Sequence, residues 1–286
     1  MFGLRPPEEI RKLESFGIGS FTDEELQDKC DLVRRSIRMM YAEKPSASIV
    51  IPAFNEKKSI VGTMQSIALQ TQRDIEVIVV SNGEDYGNAT QQIAEQCGAR
   101  VIHEPKHGIG LARQIGLEEA KAEIVISTDA DTLHDKRWAA SIVQEGMRES
   151  GVKFGFGPVH SLSRRLSRRM FMESHNLTRY FRSKVGVLKN AGLSEANSFY
   201  LREAAMDAGG YDRERNFGEG MDMLRRISPD LDAKFFYSED FAAYPSGRKM
   251  DKMSLLTLGT ISIRLGLAHV RGKDLALRED EYPHIR

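Results

Sequence analysis

Two carboxylates stand one residue apart at Asp129 and Asp131, directly after an apolar run at residues 124–126. In an extended segment the side chains of residues i and i+2 point the same way, so both carboxylates can converge just past the end of a buried strand. Mg²⁺ and Mn²⁺ prefer such hard oxygen donors, and an ion bound there usually also binds the phosphates of a ligand. The spacing therefore predicts a metal–diphosphate site, and a turn with helix-capping carboxylates is the simpler alternative.

Three more loops carry polar side chains or glycines where a predicted strand ends. They are Pro52-Ala53-Phe54-Asn55-Glu56, Ser81-Asn82-Gly83-Glu84-Asp85 and Lys106-His107-Gly108-Ile109-Gly110, the last of which leads into a helix bearing Arg113. Backbone N–H groups and Asn55 are suited to contact a nucleotide, and glycines let the backbone approach a phosphate that Lys106 or Arg113 would neutralise. A helix cap at Asn55 and Glu56, and a simple turn after Ser81, are the alternatives. Together the four loops favour a ligand site.

The segments that carry these loops alternate between strand and helix patterns. Strands are predicted at 48–52, 75–80, 99–103 and 123–128, and helices at about 57–70, 87–97 and 109–120. This rhythm, with largely apolar strands, is typical of a parallel, doubly wound α/β sheet covered on both faces. Open α/β sheets bind ligands at the carboxyl ends of their strands, which is where the four loops lie.

After Asp135 the rhythm loosens. We predict a helix at 136–149, strands at 152–159, 196–201 and 233–238, and a basic amphipathic helix at 163–184. The basic helix is either a membrane-surface or anionic-acceptor site or a solvated face over the sheet. The segment 253–270 is amphipathic, and it would pack on the core, lie on a membrane or form a homodimer.

Residues 1–46 are polar and charged, and we expect a helical extension there. Thr22 and Glu25 have the spacing of a capping box. An apolar stripe follows at alternating spacings of four and three, at Leu26, Cys30, Val33, Ile37 and Met40. The helix would pack on the main domain or on a second chain, and we expect its own domain to be the partner.

The chain has 286 residues, with 41 Lys plus Arg and 41 Asp plus Glu. It therefore lacks the net positive charge that would predict a nucleic-acid partner. The two cysteines, Cys30 and Cys97, match no metal or redox spacing and fit a reducing compartment. There is no apolar signal segment at the start and no run of about 18 apolar residues. A cytoplasmic location is expected, with peripheral contact at the inner face of the membrane as an extension of that view.

At this point a resemblance becomes clear. The strings SIVIPAFNEKKSIVGTMQSIALQT, IEVIVVSNGEDYGNAT and GIGLARQIGLEEAKAEIVISTDADTL resemble the nucleotide-sugar half of family 2 glycosyltransferases of the GT-A fold. In the second half, ANSFYLREAAMDAGGYD, FGEGMDMLRRI and AAYPSGRKM resemble that family's acceptor-side segments, in the same order. The resemblance covers residues 47–250. It implies a nucleotide-sugar half at 47–135, an acceptor half at 136–250 and an amphipathic tail at 251–286.

The resemblance also implies a chemistry. The donor would be a UDP- or GDP-sugar, and Mg²⁺ or Mn²⁺ would bridge Asp131 to its diphosphate, with Asp129 on the ribose or the metal. Ala130 and Arg248 would belong to the same donor site. The acceptor would be a glycan, a lipid-linked molecule or another hydroxyl compound, and the reaction an inverting displacement with a carboxylate as base.

The sequence departs from the family at the base. The family's Glu-Asp pair reads Glu219-Gly220 here, so Glu219, Asp222 or neither would be the base. Ser81 stands where the family often has an Asp that contacts the nucleobase, so the identity of the nucleotide stays open. Candidates for a third metal ligand are His134, His160 and His175, against the simpler view that each is an ordinary histidine. A sugar-nucleotide nucleotidyltransferase and a non-catalytic sugar-nucleotide-binding relative are the alternative functions.

Overall fold

The computed structural model describes residues 6–17, 21–83, 87–146, 151–184, 195–216, 218–228, 235–254 and 256–260. The strands in these ranges are β1 (Ala47–Ala53), β2 (Ile75–Asn82), β3 (Arg100–Glu104), β4 (Ile124–Ser127), β5 (Thr132–His134), β6 (Phe154–Phe156), β7 (Ser198–Leu201), β8 (Phe235–Tyr237) and β9 (Ala243–Pro245). The first four agree with the predicted strands to within two residues.

Seven of the strands form one sheet in the order β3-β2-β1-β4-β7-β6-β8. Strands β1 to β4 pair in parallel, β7 runs antiparallel to both β4 and β6, and β6 pairs in parallel with β8. The predicted class, a mostly parallel mixed α/β sheet of the GT-A type, is confirmed. A separate two-stranded sheet pairs β5 with β9, a long-range pairing that the sequence did not predict.

The helices alternate with the strands as expected. They are α1 (Glu8–Gly17), α2 (Asp23–Met40), α3 (Ile60–Ala68), α4 (Ala89–Gln96), α5 (Ile109–Glu119), α6 (Trp138–Gly146), α7 (Leu166–Lys184), α8 (Arg202–Asp207), α9 (Glu219–Ile227) and α10 (Arg248–Lys252). Residues 256–260 are also helical. The predicted capping box at the start of α2 is present: the Thr22 hydroxyl accepts from the Glu25 N–H, and the Glu25 carboxylate accepts from the Thr22 N–H.

Apolar side chains cover both faces of the large sheet. In β1, Ile49 and Ile51 point into one cluster, whereas Val50 points into a second cluster on the opposite face. Because successive side chains of a strand alternate in direction, a central strand must be apolar throughout to be covered on both faces. Each fully buried aliphatic side chain of this kind stabilises the fold by about 1.5–3 kcal/mol.

Helix α2 packs on its own domain, as expected. Its Cys30, Val33, Ile37 and Met40 are buried in the same cluster as Ile49, and Leu26 lies partly buried against that cluster. Cys30 and the core residue Cys97 are both free thiols, and their Sγ atoms lie 3.3 Å apart. The N-terminal extension is thus anchored on the sheet by a continuous apolar stripe.

Helix α1 lies within the predicted helical extension, and it packs against the small sheet of β5 and β9. Its Ile10 is fully buried in a cluster with Leu133 of β5 and Tyr244 of β9. The cluster also includes Leu162 and Ala242. Helix α1 therefore packs against β5, the strand that follows Asp131.

Helix α7 is amphipathic, as predicted, but part of its basic character faces inward. Arg168 and Arg179 are buried, whereas Leu166, Met170, Leu177 and Phe181 are exposed by 52, 55, 40 and 59 %. Positions 261–286 of the predicted amphipathic tail lie outside the described residues. Within the described ranges, no helix is both long and apolar enough to cross a membrane.

Candidate functional site

Polar side chains collect at the edge of the sheet where β1, β2 and β4 end. Asn55 and Glu56 follow β1, Ser81 and Asn82 end β2, and the two aspartates follow β4. Strand β7 runs the other way beside β4, with Ser198 opposite Ser127. Residues that precede β7 therefore reach the same edge, which brings part of the predicted acceptor half to the predicted ligand site.

Arg113 joins two other predicted site residues, Asp129 and Glu219. It extends from α5, its side chain is 2 % exposed, and its Nη2 donates to Asp129 Oδ1 at 2.6 Å. Its Nε donates to Glu219 Oε1 at 3.1 Å, and its Nη1 donates to Ser127 Oγ at 2.5 Å. The structure thus places Asp129, which follows β4, and Glu219, which begins α9, on one guanidinium.

The charges in this cluster shift each other's pKa. Burial alone would lower the pKa of Arg113, but the carboxylates of Asp129, Glu195 and Glu219 outweigh it and raise that pKa. Burial raises the pKa of Glu219, and the nearby Glu195 adds to the rise while Arg113 opposes it. Glu219 is therefore a more basic carboxylate than an exposed glutamate, and it is held in place by a permanent cation.

Arg248 forms a second cluster with Asp131. Its Nη2 is hydrogen-bonded to Glu56 Oε2 and lies 3.5 Å from Asp131 Oδ2. Ser246 binds Asp131 twice, through Oγ to Oδ2 at 2.6 Å and through its N–H to the Asp131 carbonyl at 2.9 Å. The pairing of β5 with β9 causes this arrangement, because it aligns the residues after Asp131 with those before Ser246.

The acidic pair suits a cation that a ligand completes. Asp129 and Asp131 have side chains that are 36 % and 10 % exposed, and both offer carboxylate oxygens. Across the described ranges, no three His, Cys, Asp or Glu side chains form a group that would hold a metal by themselves. Mg²⁺ is commonly bound by one or two carboxylates together with substrate phosphates, so the donor set fits Mg²⁺ or Mn²⁺ bound with a diphosphate.

The remaining residues of the β1 and β2 loops line the same edge. Pro52 and Ala53 are buried in β1, and Asn55 is exposed with a left-handed φ of 55°. The Asn88 side chain donates to Ser81 Oγ at 3.1 Å, and the Asn82 side chain donates to the Gly108 carbonyl at 3.1 Å. Ala130 is also buried, and its carbonyl accepts from Thr63 Oγ1 at 3.0 Å. These groups fix the loops that frame the two aspartates.

The glycine loop before α5 packs against protein. A Cβ on Gly110 would lie 2.3 Å from the Asp212 carbonyl and 2.5 Å from the Arg215 carbonyl, so the loop at 212–216 covers this turn. The Ile109 N–H donates to Asn216 Oδ1 at 3.2 Å, and Lys106 Nζ lies 2.6 Å from Glu214. In this structure the glycine at position 110 is required by close packing, and Lys106 makes an exposed ion pair.

Asp222, the second candidate base, belongs to a different cluster. Its Oδ2 accepts from Arg226 Nη2 at 2.7 Å and Nε at 3.1 Å, and Arg215 Nη2 lies 3.7 Å from its Oδ1. Arg226 also donates to the carbonyls of Ala208 and Gly210. Asp222 thus orients an arginine that joins α9 to the end of α8, and it makes no contact with Arg113 among those described.

The three histidines have partners elsewhere. His134 is fully buried, its Nε2 lies 2.8 Å from Thr128 Oγ1, and its ring stacks on Trp138. Burial lowers the pKa of His134 to about 3, so its ring is neutral. His160 pairs with Glu173 of α7 at 2.6 Å, and His175 lies 3.0 Å from the carbonyl of Phe171 in the same helix.

Glu195 is a site residue that the sequence analysis missed. It lies in a 3-10 turn at Glu195–Asn197, directly before β7, and it is 9 % exposed. The hydroxyls of Tyr200 and Tyr211 donate to its carboxylate at 2.5 and 2.8 Å. The available signal was only that Glu195 directly precedes a predicted strand; the antiparallel pairing of that strand with β4, which the structure shows, carries Glu195 to the site edge.

Comparison with known proteins gives a family match. A family model described as "Glycosyl transferase family 2" matches residues 48–209, which is more than half of the chain. The glycosyltransferase GlyG of Streptococcus pneumoniae is 30% identical over 107 residues, covering 34% of this chain and 34% of GlyG. The glycosyltransferase AglE of Haloferax volcanii is 29% identical over 107 residues, covering 35% of this chain and 34% of AglE. The matched region thus spans about a third of these relatives.

Solved structures show the same fold at low identity. The mannosyltransferase PcManGT from Pyrobaculum calidifontis, in a complex with GDP-Man and Mn²⁺, has a TM-score of 0.55 at 19% identity. That similarity covers 81% of this chain and 68% of PcManGT. S. aureus TarS, in a complex with UDP-GlcNAc, has a TM-score of 0.55 at 19% identity and covers 80% of this chain and 68% of the TarS fragment.

Proposed function

Because the chain belongs to glycosyl transferase family 2, we propose that it transfers a sugar, with inversion, from a nucleoside diphosphate sugar to a hydroxyl group of an acceptor. The observation that carries the proposal is the bond of Arg113 to both Asp129 and Glu219. Arg113 thereby holds two carboxylates at one point: Asp129, at the predicted diphosphate site, and Glu219, at the predicted acceptor site. A transferase needs both, because the leaving group and the incoming hydroxyl meet at the same carbon.

We propose that the donor lies along the edge formed by the ends of β1, β2 and β4. Pro52, Ala53, Asn55, Glu56, Ser81, Asn82, Lys106, Gly108, Arg113, Asp129, Ala130 and Arg248 are the residues assigned to it. UDP- and GDP-sugars are both candidates, since PcManGT is described with GDP-Man and TarS with UDP-GlcNAc. Arg248, whose side chain is 40 % exposed beside Asp131, is available to bind the diphosphate.

Asp129 and Asp131 would hold Mg²⁺ or Mn²⁺. When bound, such a cation supplies charge stabilisation for the departing diphosphate. Arg248 would bind the same diphosphate through charge-assisted hydrogen bonds. Its guanidinium is placed for this by its ion pairs with Glu56 and Asp131.

Glu219 is the proposed general base. Its carboxylate accepts the proton of the acceptor hydroxyl as that oxygen forms a bond to the anomeric carbon of the sugar. The bond between that carbon and the phosphate oxygen breaks, and its electron pair leaves with the nucleoside diphosphate. Arg113 keeps Glu219 oriented, and the burial that raises its pKa makes it a better proton acceptor.

We further propose a glycan or lipid-linked acceptor and a cytoplasmic protein that contacts the inner face of the membrane peripherally. The exposed Leu166, Met170, Leu177 and Phe181 of α7 follow a spacing that places them on one face of the helix, and Arg164 and Arg165 precede them, exposed. Apolar and basic groups on one surface favour anionic lipid. A homodimer through the tail remains the alternative use of an amphipathic surface.

The test is donor turnover. The purified protein is incubated with UDP- and GDP-sugars, Mn²⁺ or Mg²⁺ and free glycan or lipid-linked glycan acceptors, and free UDP or GDP is measured. We expect turnover with one donor, a large loss in Asp131→Asn or with a chelator, and no loss in Asp240→Asn, which removes an exposed carboxylate of the same type. NMR of the product reports the anomeric configuration.

Other outcomes would replace the proposal. Turnover that survives both Asp131→Asn and the chelator would refute the role of the metal. Pyrophosphate release from a nucleoside triphosphate would indicate a nucleotidyltransferase. Donor binding without turnover across all acceptors would indicate a non-catalytic relative.

A further inference from the structure

The carboxylate of Glu195 occupies the space that a side chain at position 220 would need. An ideal Cβ on Gly220 would lie 1.4 Å from Glu195 Oε1, 2.2 Å from its Cδ and 2.7 Å from its Cγ. The carboxylate of Glu195 thus stands where any side chain at position 220 would begin. Gly220 immediately follows Glu219 at the start of α9, so Glu195 lies beside the proposed base.

Glu195 is held firmly in that space. Tyr200 donates to its Oε1, and Tyr211 and Ser198 donate to its Oε2 at 2.8 and 3.3 Å. Both tyrosines and Ser198 are buried, as is Gly220. To move the carboxylate would leave three buried hydroxyls without this acceptor, which is costly in a protein interior. The position is therefore a fixed feature of the site.

Glu195 also contributes to the charge balance around Arg113. Three carboxylates act on this one guanidinium, those of Asp129, Glu195 and Glu219. Arg113 donates directly to Asp129 and Glu219, whereas Glu195 is saturated by the tyrosines and Ser198. A like charge nearby disfavours the ionised form of a carboxylate, so Glu195 raises the pKa of Glu219 although no hydrogen bond between the two is described.

We propose that Glu195 is a positioning residue for the transfer reaction: its carboxylate replaces the side chain that Gly220 lacks and supplies the negative charge that balances Arg113 beside Glu219. The inference rests on the proposed function, since it assigns a role relative to Glu219 as the base. Glu195 acts through Glu219 because its own carboxylate is 9 % exposed and already accepts three hydrogen bonds.

An exchange of the two side chains tests the proposal. Glu195→Gln keeps the shape and removes the charge, and Glu195→Ala removes both. Gly220→Asp in the wild-type chain forces two carboxylates into one space, and the double variant Glu195→Ala/Gly220→Asp returns one carboxylate to it. Glu203→Gln, an exposed glutamate of α8, is the matched control for loss of charge.

For activity we expect kcat to fall about tenfold or more in Glu195→Gln and Glu195→Ala, with donor KM nearly unchanged, and to recover largely in the double variant. The acidic limb of the kcat–pH profile should move to lower pH in Glu195→Gln, because one anion that raises the pKa of Glu219 is lost. The charged groups that face Glu219 are Arg113 from α5, Asp129 after β4 and Glu195 before β7. A purely structural role would not move this limb.

For stability we expect Gly220→Asp to lower Tm by several degrees in the wild-type chain and far less when Glu195 is alanine, because only the first case has a collision. Turnover in the wild type with an unchanged kcat and pH profile in Glu195→Gln would overturn the inference. So would a folded double variant no more active than Glu195→Ala. A wild type without turnover on any donor would overturn the proposed function and the positioning role together, and the Tm measurements would then report shared space alone.

Discussion

Nε of Arg113 lies 3.1 Å from Oε1 of Glu219, and 106 positions of sequence separate the two residues. Both side chains are almost completely buried, at 2 and 6 % exposure. An ion pair between elements from the two halves of the domain fixes those halves relative to each other. The same guanidinium binds Asp129, so a change at Asp129 is felt at Glu219.

Removal of this cation should destabilise the protein strongly. We expect Arg113→Met to lower the free energy of unfolding by about 3–5 kcal/mol, since it leaves the buried Glu219 carboxylate without its partner. Urea denaturation at pH 7 measures it. Arg213→Met is the control: that arginine makes an exposed pair with Glu118, which should contribute at most about 1 kcal/mol. Equal losses in the two variants would contradict the assignment.

The choice between the two candidate bases can be decided by two isosteric variants. We expect Glu219→Gln to reduce kcat about 10²–10⁴-fold, the usual contribution of a positioned general base. Asp222→Asn should keep kcat near the wild-type value and lower the free energy of unfolding by about 0.5–1 kcal/mol through its pair with Arg226. Steady-state kinetics measures the first effect and urea denaturation the second. The reverse pattern in kcat would assign the base to Asp222.

The pKa of Glu219 gives a pH dependence with a definite sign. Burial raises this pKa above its ordinary value of 4.5, so kcat should rise with pH along a limb that lies above that value. For stability the folded protein binds this proton more tightly than the unfolded chain. The stability that protonated Glu219 contributes is fully present below pH 4.5 and is lost as pH rises through the pKa of Glu219 in the folded protein. Urea denaturation across this range, compared with Glu219→Gln, should show the wild type losing relative stability as pH rises.

Arg248 should matter for donor binding more than for turnover. We expect Arg248→Met to raise donor KM roughly tenfold or more, because a charge-assisted bond to the diphosphate is lost. Lys252→Met, an exposed cation of the same helix, should leave KM unchanged. Kinetics over a range of donor concentrations separates KM from kcat. A normal KM in Arg248→Met would place the diphosphate elsewhere.

His134 should make the fold sensitive to acid. Burial lowers its pKa from 6.5 to about 3, so the folded protein resists a proton that the unfolded chain accepts. The stability from this residue is complete above pH 6.5 and is lost as pH falls toward 3, by at most about 1.4 kcal/mol per pH unit. His134→Gln should weaken this slope in chemical denaturation between pH 7.5 and 5. An identical slope would contradict the prediction.

The parallel half of the sheet was readable from sequence because β1, β2 and β4 are largely apolar, as strands covered on both faces are. Helix α2 was readable from its capping box and its stripe. The pairing of β5 with β9 was not, because each strand has three residues and they lie far apart in the chain. Short apolar runs do not define a partner, so the contact of Ser246 with Asp131 could not be inferred.

Glu195 escaped prediction for a related reason. The pattern of ANSFYL indicates a strand but not its direction, and only the antiparallel pairing with β4 brings the preceding turn to the site. In the sequence, Gly220 indicates only that the Asp of the family's Glu-Asp pair is missing. In the folded chain the space it leaves is filled by Glu195.

The burial of Ile10 beneath Leu133 and Tyr244 has a consequence for any attempt to transplant this site. These two residues are paired across the small sheet, in which β5 directly follows Asp131 and β9 leads to Arg248. Helix α1, which supplies Ile10, lies outside the stretch 48–209 that the family shares. A hybrid that borrowed only the shared stretch would lack both β9 and α1, so β5 would lose its partner strand and the side chain that is buried against it.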